Sequence, residues 1–189
     1  MSRAVKGLLL WLFRRRGWKL EGQAPAANRF VIIGAPHTSN WDFVSFLGMA
    51  NQFGLEPHFM GKASLFRWPL RRFMSDMGGV PVERSKRGNL ADAMVAAFAG
   101  HEEFALVIAP EGTRGHVGAW RSGFWHIAKA AGVPIVLAWV NENAKRGGLG
   151  PAIMPSGDFA ADMAKIAAFY REVMPGHAKW AAFDSMGEA

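Results

Sequence analysis

At 189 residues, half of them hydrophobic, the chain suffices for one domain with a sizeable core, yet no apolar run approaches the roughly 20 residues of a membrane-spanning helix. It contains no cysteine, which excludes disulfides, thiolate nucleophiles and cysteine-based zinc sites and leaves the cytoplasm as the default compartment. The net charge of +7 calls for an anionic partner: nucleic acid, an anionic membrane surface or a phosphorylated substrate.

The distribution of charge favours the membrane. The first 20 residues hold Arg3, Lys6, Arg14, Arg15, Arg16 and Lys19 and no acidic side chain. As a helix they align Val5, Leu8, Leu9 and Leu12 on one stripe, with Trp11 and Trp18 nearby and arginines at the end. That is the composition of a helix lying in a membrane interface, and it predicts a basic amphipathic segment over residues 1–22 ahead of one domain over 23–189. A signal peptide is disfavoured by the short apolar core, the three arginines after it and the lack of a small-residue cleavage site. A first helix packed on the core, its arginines simply solvated, stays open.

Arg29 to Gly34 is a short β-branched run bounded by Asn28 and Pro36, which predicts a buried strand. Ser39 and Asn40 are good N-caps for a helix running through Asp42, Phe43, Phe46, Leu47 and Ala50. His58 to Met60 reads as a short strand, and Leu65 to Met74 as a basic, aromatic helix. Gly79 to Val82 reads as a strand whose proline places it at an edge. Leu90, Ala93, Met94, Ala97 and Phe98 have the spacing of a core-facing helix. Phe104 to Ala109 is the clearest strand; a helix over Ser122 to Ala131 and a strand over Ile135 to Val140 follow. The Gly-rich, charged stretch Asn141 to Gly150 reads as a hairpin-like loop into Ala152-Ile-Met154. Phe159, Met163, Ile166, Tyr170 and Met174 mark a last helix, stopped by Pro175-Gly176. The alternation of strands and helices, with no repeat or linker, predicts a single α/β domain.

Two strands in this order run into polar clusters. His37 and Asp42 follow the first; Glu111, Gly112, Thr113 and Arg114 follow the clearest one. A histidine just before a helix and a carboxylate on its first turn can meet, so that the carboxylate fixes the ring tautomer while the other nitrogen takes a proton. In isolation the pair could equally be a satisfied turn histidine and an aspartate favoured by the helix dipole. In the second cluster Gly112 permits a tight turn, Thr113 can bond backbone and Arg114 offers a planar fork for an anion. Arg84, after the proline-containing strand, and Lys62, Arg67, Arg71 and Arg72 add positive charge, each of which could also be ordinary solvated surface.

His37-Thr-Ser-Asn-Trp-Asp42 resembles the His-four residues-Asp block of the glycerolipid acyltransferases, the family that includes bacterial lysophosphatidic acid acyltransferases. Gly79-Val-Pro-Val-Glu-Arg84 resembles the second block, Pro110-Glu-Gly-Thr-Arg114 the third and Val133-Pro-Ile-Val136 the fourth, in the family's order over about residues 30 to 140. The resemblance implies a mixed, mostly parallel sheet flanked by helices, with residues 23–189 as the acyltransferase domain. It implies His37 as general base on a glycerol hydroxyl and Asp42 as its orienting group. The oxygen would attack an acyl thioester of acyl-CoA or acyl carrier protein directly, without acyl-enzyme, cofactor or metal. Arg84, Arg114 and Lys62 would hold the acceptor's phosphate, Glu111 would position its glycerol, and Gly112 and Thr113 would complete that site. The expected acceptor is 1-acylglycerol-3-phosphate and the expected place the cytoplasmic face of an anionic membrane, with no nucleic-acid partner.

Departures from the family's pattern, such as Pro36 before the histidine and Ala109 before the third block, leave other lysophospholipids or a lyso-aminolipid open as acceptor. Trp120, Phe124 and Trp125 could line an acyl channel or simply pack the core. A metal hydrolase would draw on His37, Asp42, Glu111 and one of the scattered histidines, but no HExxH spacing is present. A lipid-binding module without catalysis would explain the charge and aromatics, though not the paired polar clusters.

Overall fold

The computed structural model describes residues 3–37, 41–76, 78–82, 88–112 and 118–183. In chain order these form α1 (Arg3–Arg15), β1 (Lys19–Glu21), β2 (Arg29–Ala35), α2 (Trp41–Gln52), β3 (Pro57–Lys62), α3 (Arg71–Asp76) and β4 (Gly79–Val82). Then come α4 (Gly88–Ala99), β5 (Phe104–Ile108), α5 (Gly123–Ala131), β6 (Ile135–Asn141), β7 (Arg146–Ile153) and α6 (Phe159–Val173), with 3-10 turns at Ala63–Phe66 and Ala178–Phe183. The seven strands make one sheet in the order β1-β7-β6-β2-β5-β3-β4. β6, β2, β5, β3 and β4 pair in parallel, β7 runs antiparallel to β6, and β1 pairs in parallel with β7. The sheet is mixed and mostly parallel, as the resemblance implied.

Successive residues of a strand face opposite sides of a sheet, and the central strands divide their apolar side chains accordingly. Val31, Ile33, Leu106, Ile135 and Leu137 pack with Met94 and Phe98 of α4, Phe124 and Ile127 of α5 and Met163, Ile166 and Tyr170 of α6. Phe30, Ile32, Ala105, Val136 and Ala138 form the smaller cluster on the other face, with Phe53 and Leu55 against it. Trp120, Phe124 and Trp125 all lie in the larger cluster, so they pack the core. In α4, Met94 and Phe98 are buried as the spacing predicts, whereas Ala93 is exposed.

Two expectations are corrected. The Gly-rich stretch is not a loop: only residues 142–145 turn, and Arg146–Ile153 is strand. Its glycines permit close packing, because a Cβ on Gly148 would sit 2.1 Å from the carbonyl oxygen of Glu21 on the neighbouring β1. The helix expected over Leu65 to Met74 is two short pieces, Ala63–Phe66 and Arg71–Asp76, split at Trp68-Pro69. Proline removes a helical donor and disfavours helical geometry in the residue before it.

The N-terminal segment is tied to the body. β1 is drawn from it and pairs with β7 at the sheet's edge. Phe13 on α1 is buried against Gly48 of α2, where a Cβ would meet its ring carbon at 2.1 Å, and it stacks on Trp18. Arg16 donates to Glu142, 2.8 Å away in the turn after β6, and Lys145 and the Ser45 hydroxyl bond the same carboxylate. Burial opposes the charge on Glu142, but those three partners outweigh it and hold its carboxyl below the ordinary value. A carboxyl depressed in the folded state stabilises above the unfolded pKa near 4.5 and loses that contribution as pH falls through its folded value. Glu142→Gln is therefore expected to lower the melting temperature at pH 7 and to converge with the parent chain toward pH 3. Parallel melting curves across that range would show that Glu142 does not hold α1.

Candidate active site

The sheet brings two chain-distant polar clusters to one place. β2 and β5 are neighbours, parallel, and in register with Ile33 opposite Ile108. Both strands therefore end at the same edge, and His37 and Glu111, four and three residues beyond that register point, leave it side by side. The His37 backbone N–H donates to Glu111 Oε1 at 3.0 Å. Glu111 is buried, 1% exposed, among three buried polar or charged side chains of the described residues.

The turn that presents Glu111 is built by the residue after it. Gly112 adopts φ 68°, a left-handed conformation that a side chain makes costly, and its N–H closes onto the Ala109 carbonyl at 3.0 Å. The Arg121 N–H bonds the Pro110 carbonyl at 2.8 Å, and its guanidinium lies over Gly112, where a Cβ would come within 2.7 Å of Nε. The glycine thus also makes room for a cation.

A buried carboxylate needs a compensating charge, which Lys179 supplies. Its ammonium pairs with Glu111 Oε2 and donates to the His37 carbonyl, and the lysine side chain is only 9% exposed. Lys179 sits on the 3-10 turn Ala178–Phe183, which is pinned through Trp180 and Phe183. Both are buried against Tyr170, with ring centroids 5.1 and 6.2 Å from it, and Trp180 Nε1 donates to the Met174 carbonyl at 2.9 Å. The Tyr170 hydroxyl reaches the carbonyls of Ile33 and Ala138, at 2.9 and 3.0 Å, beneath the ends of β2 and β6. Burial, and then the negative charge of Glu111, push its pKa well above the ordinary tyrosine value, so it stays a neutral donor.

Of the residues singled out from sequence, His37, Glu111 and Gly112 are brought together. Lys62 closes β3 at the same sheet edge, two strand spacings (about 10 Å) from β2. Asp42 stands in the first turn of α2. Its side chain, Ser39 and Asn40, which the sequence offers as caps, and the whole of Arg84, Thr113 and Arg114 lie outside the described residues. Lys179 and Arg121 were not anticipated. For Lys179 the available signal was the pair Trp180 and Phe183, whose i, i+3 spacing marks one face of a tight terminal turn. Among the described residues no three His, Asp or Glu side chains cluster to hold a metal.

Removing one partner of a buried ion pair strands the other charge, at a cost of about 3–5 kcal/mol. Lys179→Met is expected to lose stability of that order in urea denaturation, and adding Glu111→Gln to recover much of it. Equal losses in the single and double variants would show that the pair is not the source.

The sequence pattern of the family described as Acyltransferase matches residues 18–141, well over half of the chain. No curated protein matches in sequence. Among solved structures, the crystal structure of the 1-acyl-sn-glycerophosphate (LPA) acyltransferase PlsC from Thermotoga maritima superposes with a TM-score of 0.59 at 16% identity. That match covers 92% of this chain and 81% of the Thermotoga chain, a likeness of fold. The chain belongs to the acyltransferase family, and the enzyme is an acyltransferase.

Proposed function

We propose that the enzyme moves a fatty acyl group from a thioester, on coenzyme A or acyl carrier protein, to the hydroxyl of a lysophospholipid, with 1-acylglycerol-3-phosphate as the first acceptor to test. The observation that carries this reading is the hydrogen bond from the His37 N–H to Glu111. It couples His37, just ahead of α2, to the turn that leads into Thr113 and Arg114. The fold is shared with a protein described as an LPA acyltransferase, which supports the choice of acceptor.

In this reading an imidazole nitrogen of His37 takes the proton of the acceptor hydroxyl, with Asp42 orienting the ring from the first turn of α2. The freed oxygen attacks the thioester carbonyl, the carbon–sulfur bond breaks, and the proton returns to the departing thiolate. No covalent acyl-enzyme is needed, in keeping with a chain that has no cysteine. Lys62, Arg84 and Arg114 take the acceptor's phosphate, joined by Arg121 over the Gly112 turn. Both Glu111 oxygens already serve the protein, which favours a role in holding His37 over direct contact with the glycerol. No helix of the described residues is long and apolar enough to cross a membrane. The basic segment 1–22 instead lies on the cytoplasmic face of an anionic bilayer, offering Leu8 and Trp11, both more than half exposed, beside Arg14 and Arg15.

The test is thiol release from palmitoyl-CoA and from acyl carrier protein, with lysophosphatidic acid and other lysolipids as acceptors. Loss of the general base in His37→Ala should cut acceptor-dependent turnover by roughly 10²–10⁴ while vesicle binding is kept. Undiminished turnover in that variant would overturn the assignment of His37, and lipid binding without turnover in the parent chain would favour a binding role.

A further inference from the structure

The exposed apolar surface of the described residues is concentrated. Of seven large exposed hydrophobic side chains, Leu8 and Trp11 lie on α1 and Met154 follows β7, whereas Leu65, Trp68, Leu70 and Phe73 fall within nine consecutive positions. Trp68 is 91% exposed, a large indole surface left in water. Neither the turn Ala63–Phe66 nor α3 contributes a buried residue, so core packing does not account for this composition. The segment is nonetheless held in place. The Phe66 ring and the Met74 methyl lie where a Cβ on Gly61 would stand, at 2.8 and 3.2 Å, fixing its two ends against β3.

Charge selects the occupant. From residue 63 to 76 the chain carries Arg67, Arg71 and Arg72 against Asp76 alone, and Arg67 and Arg71 enter no salt bridge among the described residues. Aromatic and aliphatic side chains alternating with arginines suit the headgroup and upper acyl layer of an anionic bilayer, where rings lie among headgroups and guanidinium groups meet phosphates. Position agrees. β3 runs parallel to β5, so the segment leaves the sheet at the edge where His37 and Glu111 emerge. The Arg16–Glu142 bond ties the end of α1 to that same edge, because Glu142 follows β6, which is parallel to β2. Met154, after the antiparallel β7, marks the opposite end.

We propose that residues 65–73 form a second contact with an anionic lipid bilayer, additional to α1, that seats the His37 edge of the sheet against the membrane. The proposal rests on the membrane location in the functional reading above. It explains how a lysolipid could pass from the bilayer to the site: the edge that holds the site is flanked by two surfaces suited to a membrane interface.

The absence of cysteine allows clean labelling. Trp68→Cys, Phe73→Cys, Trp11→Cys and, as control, Met154→Cys are each labelled with an environment-sensitive fluorophore and mixed with phosphatidylcholine vesicles with or without phosphatidylglycerol. Labels at 68, 73 and 11 should shift to shorter wavelength and be quenched by spin-labelled acyl chains, only with the anionic vesicles, while the label at 154 stays unchanged. Arg67→Gln with Arg71→Gln should weaken anionic-vesicle partitioning roughly 30-fold at low salt, since each basic group near such a surface contributes about fivefold. Silence at 68 and 73 with a response at 11 would overturn the second contact and leave the membrane reading standing. Silence at all positions, with thiol release intact on a micellar acceptor, would remove the membrane from both while leaving acyl transfer. Concentration-dependent self-association that is abolished by Trp68→Cys, with no vesicle response, would assign the surface to a second copy of the chain and overturn the proposal.

Discussion

The site depends on one buried carboxylate. Glu111 stands where solvent cannot screen it, and the cost of an uncompensated ion there is several kcal/mol. Its compensation comes from two places far apart in sequence: the His37 N–H, 74 residues earlier, and the Lys179 ammonium, 68 residues later. Because Lys179 also bonds the His37 carbonyl, the peptide groups on both sides of His37 are held by one ion pair. The backbone that sets the imidazole's origin is therefore fixed by electrostatics as well as by the sheet. The aromatic cluster of Trp120, Tyr170, Trp180 and Phe183 then gains a purpose beyond filling space, because it anchors the turn that carries the lysine.

How much of this was legible in the sequence follows from the range of the interactions. β2, β5 and β6 announce themselves because burial on both faces of a parallel sheet demands continuous β-branched and aliphatic runs. Their ends are legible too, as two strands that run into polar clusters carrying His37 and Glu111, but that β2 and β5 are neighbours emerges only from the fold. Glycine misleads where it serves close approach: Gly148 reads as loop punctuation, yet it lets β1 lie on β7, a constraint set by residues more than a hundred positions away. In the stretch 65–74 the basic, aromatic composition suggests one helix, but the backbone follows the proline of Trp68-Pro69 and breaks there.

The charges around the site were harder to read. For a lysine after a helix stop the local signal is only the aromatic pair Trp180 and Phe183, and nothing within a turn of Lys179 indicates a carboxylate waiting for it. Arg121 is similar: its place over Gly112 is set by the bond from its own N–H to the Pro110 carbonyl, a contact closed by the loop between them. The blocks that carry the resemblance end at Val136, whereas Lys179 lies beyond the last of them and pairs with Glu111. Motifs mark local patterns; the charge balance behind them is left to the fold.

An acyltransferase whose acceptor is a lysolipid, as proposed above, would have to satisfy a polar headgroup and an apolar tail at one edge. In that reading the sheet would divide the task by strand. Its centre, β2 and β5, delivers His37 and Glu111, while the amphipathic segments are α1, packed on α2 ahead of β1, and residues 65–73 after β3. A single helix on a membrane leaves the body free to rotate about that helix. Here α1 is fixed to the body through Phe13 and Arg16, so a bilayer that engages it also constrains the sheet's tilt. With a second contact after β3, the orientation of the edge would follow from two amphipathic segments of one rigid body. Precision of approach would then come from the rigidity of the sheet.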